Sequence, residues 1–153
     1  PKTIRERAEK IRMFAEASGR KSENIELSTM LHVALSQDSE ALKEAVLRGK
    51  TELLTERLAL KSLNYEPPVF PHLQRLTISR KAEDDLKRLA MEIPDEIAYK
   101  CMAIGDEEEC IEKIEALAKA GAEHIALIDL LSPSRSKETI QRFDKVIKQF
   151  KES

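Results

Sequence analysis

Three residues that follow the clearest strand-like run of the chain have types that chemistry uses: Asp129, Ser132 and Arg135. A carboxylate can hold a proton, a hydroxyl can donate or accept, and a guanidinium offers a planar fork that matches a phosphate or carboxylate through two hydrogen bonds. Ser36 and Gln37, after an earlier apolar run, form a second and smaller set. Each also has an ordinary structural use. An arginine in the first turn of a helix is more often solvated, and an acid at a strand end commonly caps a neighbouring loop. His32 lies inside an apolar run and is expected to be a hydrogen-bonded core histidine, while His72 and His124 have no partner that the sequence names. Cys110 opens a helix beside three acids, which disfavours its thiolate, so it is expected to be packed and not nucleophilic. No acid, base and nucleophile stand in a spacing that defines a catalytic constellation, and no catalytic residue is assigned. With three histidines and two cysteines there is no ligand-spaced cluster for a metal and no disulfide framework; Cys101 and Cys110 are expected to be reduced.

The 153 residues fit one domain, 1–153, and 41% hydrophobic with 35% charged residues is the mix of a globular chain. Lys and Arg total 26 against 28 Asp and Glu, a net charge of −2 without segregation of sign, so no basic surface for nucleic acid is indicated. No apolar run approaches the ~20 residues of a membrane span, and the charged N-terminal stretch is unlike a signal peptide. A cytoplasmic protein is expected. Scarce glycine, absent tryptophan and abundant Glu and Lys resemble the composition of heat-adapted proteins.

The elements that must position these residues follow from periodicity. Ile4, Ala8, Ile11 and Ala15 predict an amphipathic helix over 3–18, closed by Gly19. Residues 25–36 read as a strand buried on both faces, with Leu31, Val33 and Leu35 on one side. Asp38 is an N-cap candidate for a long helical stretch carrying Leu42, Val46, Gly49 and Leu53 and extending to Leu60. Within it, Gly49 marks either a close approach or a break. The prolines at 67, 68 and 71 make residues 64–71 a loop, whose Tyr65 and Phe70 either pin it to the body or cover a pocket or protein contact. Helical text resumes over 80–92, and Ile97 to Ile104 is either a helix start or a brief strand. Asp106 and Glu109 have the spacing of a capping box, ahead of a helix that ends at Gly121. The last strand runs from His124 to Leu131, and Ile140, Phe143, Ile147 and Phe150 mark a final helix.

Strands alternating with helices define an α/β chain with parallel strands, predominantly helical. A complete (β/α)8 barrel takes ~250 residues, so this length holds about five units at most. Two firm strands and one doubtful one leave hydrogen-bonding edges open, and open edges recruit another segment. The expected architecture is a partial TIM-type barrel, its C-terminal half. The functional face of a barrel is the carboxyl end of its strands, which is where Asp129, Ser132 and Arg135 would stand.

Several stretches carry a family resemblance. Ala17-Ser18-Gly19-Arg20 with Ile25, and then Asp38-Ser39-Glu40-Ala41, look like the helix-to-strand junction and the following helix start late in the barrel of luciferase-like, flavin- or coenzyme F420-dependent oxidoreductases. Ile93-Pro94-Asp95-Glu96-Ile97, the run Ile104 to Ile111, and Ala120-Gly121-Ala122-Glu123-His124-Ile125 are similar to that family's C-terminal signature. The archaeal methylenetetrahydromethanopterin reductases are the members it resembles most. Where the family usually has Gly-Thr-Pro-Glu, this chain has Gly105-Asp106-Glu107-Glu108, an acidic first turn at which phosphate is not expected.

The resemblance implies hydride transfer with coenzyme F420 or FMN in a complete enzyme, Asp129, Ser132 and Arg135 being the candidate contacts to substrate or cofactor. It further implies that this chain, matching roughly the second half, is inactive and binds no cofactor tightly without the first half of the barrel. The partner is then the missing N-terminal half or a second copy. The alternative is a helix-rich, non-catalytic module that self-associates or binds a protein.

Overall fold

The computed structural model describes residues 2–66 and 80–151. Pro67, Pro68, Phe70, Pro71 and His72 lie outside the described residues, and with them most of the loop expected either to be pinned to the body or to cover a pocket or protein contact. In chain order the elements are α1 (Lys2–Ala17), β1 (Ser28–Leu35), α2 (Ser39–Leu53), α3 (Arg57–Ser62), α4 (Arg80–Glu92), α5 (Asp95–Cys101), β2 (Ala103–Gly105), α6 (Glu107–Lys119), β3 (His124–Asp129) and α7 (Ser136–Lys151).

The helix ends are written in the sequence. Past α1, Gly19 takes φ 75°, which lets Arg20 N–H reach Ala15 O at 2.9 Å and Gly19 N–H reach Glu16 O at 2.9 Å. These two bonds close the last turn, and the glycine escapes the steric cost that a Cβ meets there. Gly121, at φ 102°, closes α6 the same way, with Ala122 N–H on Leu117 O. At the other end of α6, Asp106 Oδ1 accepts from Glu109 N–H at 3.0 Å and Glu109 Oε2 accepts from Asp106 N–H at 3.1 Å. This is the expected capping box.

All three strands are parallel and lie in the order β2-β1-β3. Val33 on β1 faces Ala103 on one side and Asp129 on the other. The chain leaves β1 for one flank and then passes across it to the opposite flank. Right-handed crossovers in opposite directions put helices on opposite faces. Accordingly Ala34, Ile104 and Leu130 are buried under α2, α4 and α5, whereas Leu31, Val33, Leu35 and Ala103 are buried under α6 and α7.

An α/β fold of mostly helical content with a small parallel sheet is therefore what the sequence specifies. The barrel expectation meets a difference. In a barrel wall consecutive strands are neighbours and the helices line one face; here β1 is central, helices lie on both faces, and the three strands among the described residues do not close. Smaller differences follow from local chemistry. The long helix of residues 39–60 is two helices, because the chain turns at Leu54–Glu56 before α3. The ambiguous stretch 97–104 holds both alternatives, the end of α5 and all of β2. β3 ends at Asp129 and not at Leu131.

Burial on both faces holds only for the second half of β1. Val33, Ala34 and Leu35 are fully buried, but Met30 is 63% exposed. The final helix also differs. It buries Thr139 and Val146, while Ile140, Ile147 and Phe150 of the expected inner stripe are exposed. Gly49 is a close approach and not a break: a Cβ there would lie 2.4 Å from Met102 Sδ, so the missing side chain lets α2 settle onto the sheet.

Candidate functional site

In an open α/β sheet, ligands bind beyond the carboxyl ends of the strands, where neighbouring strands send their connections opposite ways. Here that point lies between β1 and β3. The loops there bring together residues from three places in the chain. Ser36, buried, donates its N–H to Gly105 O at 3.0 Å, and its Oγ accepts from Asp38 N–H at 3.1 Å. Asp38 is the N-cap of α2: its Oδ1 accepts from Glu40 N–H at 2.9 Å and Ala41 N–H at 3.3 Å. Its other oxygen accepts from Arg135 Nη2 at 2.5 Å. The hydrogen bond from Arg135, then those from the two amides, hold the Asp38 carboxyl below its ordinary range.

The remaining candidates are placed beside this pair with uses of their own. Asp129 Oδ1 accepts from Leu131 N–H at 2.8 Å, the loop-capping role of a strand-end acid. Ser134 Oγ donates to Ser132 Oγ at 3.1 Å. Arg48 Nη1 donates to Leu130 O at 2.8 Å and ties α2 to the end of β3. Gln37 opens onto a cleft of about 560 Å³ between α6 and α7. There Arg142, largely buried, donates to Glu107 Oε1 at 3.0 Å and to Glu138 Oε1 at 3.2 Å. The sequence reading named Asp38 only as a cap and did not name Arg142. The spacing of Glu138 and Arg142, four apart on one helix, was a readable signal; the partnership with Glu107 was not, since it depends on how α6 and α7 pack.

The rim can hold a polar group through Gln37, Ser132 and Ser134, but its α2 and α6 helix starts do not fit the phosphate of a flavin mononucleotide or of F420. Of the helix N-termini at this end, those of α2 and α6 already carry a carboxylate in the position an anion would take, from Asp38 and Asp106. Arg135 is neutralised by Asp38. Among the described residues there is no group of three or more His, Cys, Asp or Glu arranged to hold a metal ion.

The histidines and cysteines differ from expectation in instructive ways. His32 is half-buried on the sheet face and makes no hydrogen bond among the described residues. It is not the satisfied core histidine that its apolar neighbours suggested, because the first half of β1 is uncovered. Exposed His124 meets Glu26 through Nε2. Cys110 is packed as expected, yet the cause of its inertness is burial, which pushes the thiol up to about 11, and not the adjacent acids.

A small parallel sheet with helices on both faces and a polar rim at its carboxyl end defines an α/β protein. The sequence profile of the luciferase-like monooxygenases matches residues 1–124, and the chain belongs to that family. The matched stretch ends at the first residue of β3, so Asp129, Ser132 and Arg135 lie beyond it. No curated protein matches the chain.

Proposed function

We propose that this chain is the C-terminal portion of a coenzyme F420- or flavin-dependent oxidoreductase that transfers hydride, methylenetetrahydromethanopterin reductase-like in its nearest resemblance. The observation that carries the reading is the family match over residues 1–124. The Pro-Asp turn into α5 and the capped start of α6 agree with it. In such enzymes the cofactor supplies the hydride chemistry when bound, and the protein supplies position and electrostatics. The part played by this chain is the polar rim, with Asp129, Ser132 and Arg135 as contacts to substrate or cofactor. Because the helix N-termini of α2 and α6 are filled by carboxylates, a cofactor phosphate does not sit on either of them.

Completion has a physical basis at the sheet's margins. β3 is an edge strand whose side chains are all exposed or half-exposed, and no proline or lysine blunts it. A strand from the missing half or from a second copy would pair there. On this reading the protein works in the cytoplasm; no helix among the described residues is long and apolar enough to cross a membrane.

The test is a spectral titration with FMN and with F420, first of this chain alone and then of the chain mixed with an N-terminal luciferase-like half-barrel. Cofactor binding in the mixture only is the expected result. Tight binding by this chain alone, or none in the mixture, overturns it.

A second reading, a non-catalytic module that self-associates or binds a protein, is favoured by Ile11, Met13 and Phe14 on α1 and Ile140, Ile147 and Phe150 on α7, all exposed. Sedimentation showing a compact monomer at every concentration would remove self-association.

A further inference from the structure

Asp38 uses its two carboxylate oxygens for different purposes. Oδ1 accepts from the amides of Glu40 and Ala41 and starts α2. Oδ2 accepts from Arg135 Nη2 at 2.5 Å, across 97 positions of the chain. Starting the helix needs one oxygen and no charge, since serine and asparagine cap about as well as aspartate. The second oxygen and the negative charge therefore act on Arg135.

We propose that Asp38 is a specificity-determining residue of the rim: its carboxylate keeps anionic groups off Arg135, so that the group this arginine contacts is an uncharged acceptor such as a carbonyl oxygen. The inference rests on the reading of Arg135 as a contact to substrate or cofactor. A guanidinium has five N–H donors, and one of those on Arg135 goes to Asp38. The others make no hydrogen bond among the described residues, Nη1 standing 4.0 Å from Glu138 Oε2. The side chain is 34% exposed, so these donors stay within reach of a ligand.

What the pair lacks is net charge. A phosphate or carboxylate arriving at Arg135 must either displace Asp38 from a charge-assisted bond or stand beside it as a second negative charge. A carbonyl oxygen meets neither cost. The hydrogen bond from Arg135, then those from the two amides, hold the Asp38 carboxyl below its ordinary range, so it is ionised at neutral pH. The neighbouring acids leave this balance in place: Glu40 is held by Lys43, and Glu138 gives Oε1 to Arg142. Asp129, with Oδ1 on the Leu131 amide, adds a further negative charge at this end, and Gln37, Ser132 and Ser134 add none of either sign.

The test is a titration of the isotopically labelled full chain with inorganic phosphate at neutral pH and constant ionic strength, followed at the Arg135 side-chain N–H and at the backbone amides of Ser134 and Arg135. The parent should show no saturable shift. Asp38→Asn keeps an oxygen for the cap and removes the charge, and should gain saturable binding at least about tenfold tighter than any by the parent, as one released charge-assisted contact allows. Asp38→Ser, a second uncharged cap, should gain it too and serves where the asparagine variant does not fold. Adding Arg135→Gln to either variant should abolish the gain at the Ser134 amide. Saturable phosphate binding by the parent at these positions, no gain in a folded variant, or a gain that survives Arg135→Gln overturns the proposal. No flavin or F420 enters this titration, so its failure is told apart from a failure of the oxidoreductase reading, which shows as absence of cofactor binding in the mixture.

Discussion

At the carboxyl ends of the strands the charged side chains find one another: Asp38 takes Arg135, and Arg142 stands between Glu107 and Glu138. On the amino half of the same sheet, Met30, His32 and Arg7 face a groove and have no such partners among the described residues. The difference begins with α2. Its small residues Ala41, Ala45 and Gly49 let it lie against the second half of β1, and the chain turns away at Leu54–Glu56 before covering the first half. Within one strand, then, coverage by a single helix decides whether apolar residues make a core or a surface. Polar residues follow in part: groups brought together under helix ends pair internally, whereas on the uncovered half His124 meets Glu26 and His32 has no partner among the described residues.

The sharpest way to break this contrast is to truncate a side chain in each half. Leu35 is fully buried, so Leu35→Ala should cost about 3 kcal/mol, read as a shift of the urea midpoint. Next comes the contact that seats α2. Gly49→Val forces side-chain atoms into the space held by buried Met102 and should cost about 2 kcal/mol in the same assay. If both variants are as stable as the parent, α2 does not cover the sheet in this way.

Cys110 reports on the covered half by pH. Its folded thiol ionises at about 11 because it is desolvated, whereas an unfolded thiol ionises near ~8.5. The folded state therefore keeps a proton that the unfolded state gives up. The contribution is fully present below pH ~8.5 and is lost as pH rises toward the folded value, a decline of about 2.5 kcal/mol between pH 8 and 10.5. Cys110→Ala should flatten that slope whatever it does to absolute stability, and a thiol reagent should label Cys101 before Cys110.

Asp38 reports on the rim in acid. With its folded pKa below the unfolded one, its contribution is present above the unfolded value and is lost as pH falls through the folded value. Thermal melts of Asp38→Asn against parent should converge at the acid end of the scale and separate toward neutrality. Met30→Ala should be the smallest effect, under about 0.5 kcal/mol, because the side chain is already in water. A cost like that of Leu35→Ala would mean that the groove is closed.

Much of this was legible in the sequence where the signal was local. Gly19, Asp38, the Asp106 and Glu109 box and Gly121 each fix a helix end through hydrogen bonds within a few residues, and the structure has all four. The family was legible from the order of such junctions. Strand order was not, since periodicity says that a strand is buried and not which strand lies beside it. The exposed stripe of α7 and the half-covered β1 were illegible for the same reason: 3-4-3 spacing and alternation mark what can be buried, while the covering element is supplied by distant parts of the chain. At the rim, the residue types after β3 were readable, but their mutual neutralisation was not, because Asp38 and Arg135 are brought together only by the β1–β3 pairing.

The placement of β1 between the other two strands has a consequence for how such a chain can grow. β1 is paired on both flanks, by β3 along Ser28–Val33 and by β2 along Val33–Leu35, while the margins are a three-residue strand on one side and a six-residue strand on the other. Further strands can accrete at either margin without breaking a bond at the centre. The longer margin offers the better template, and growth there would leave the pairing of the central strand untouched.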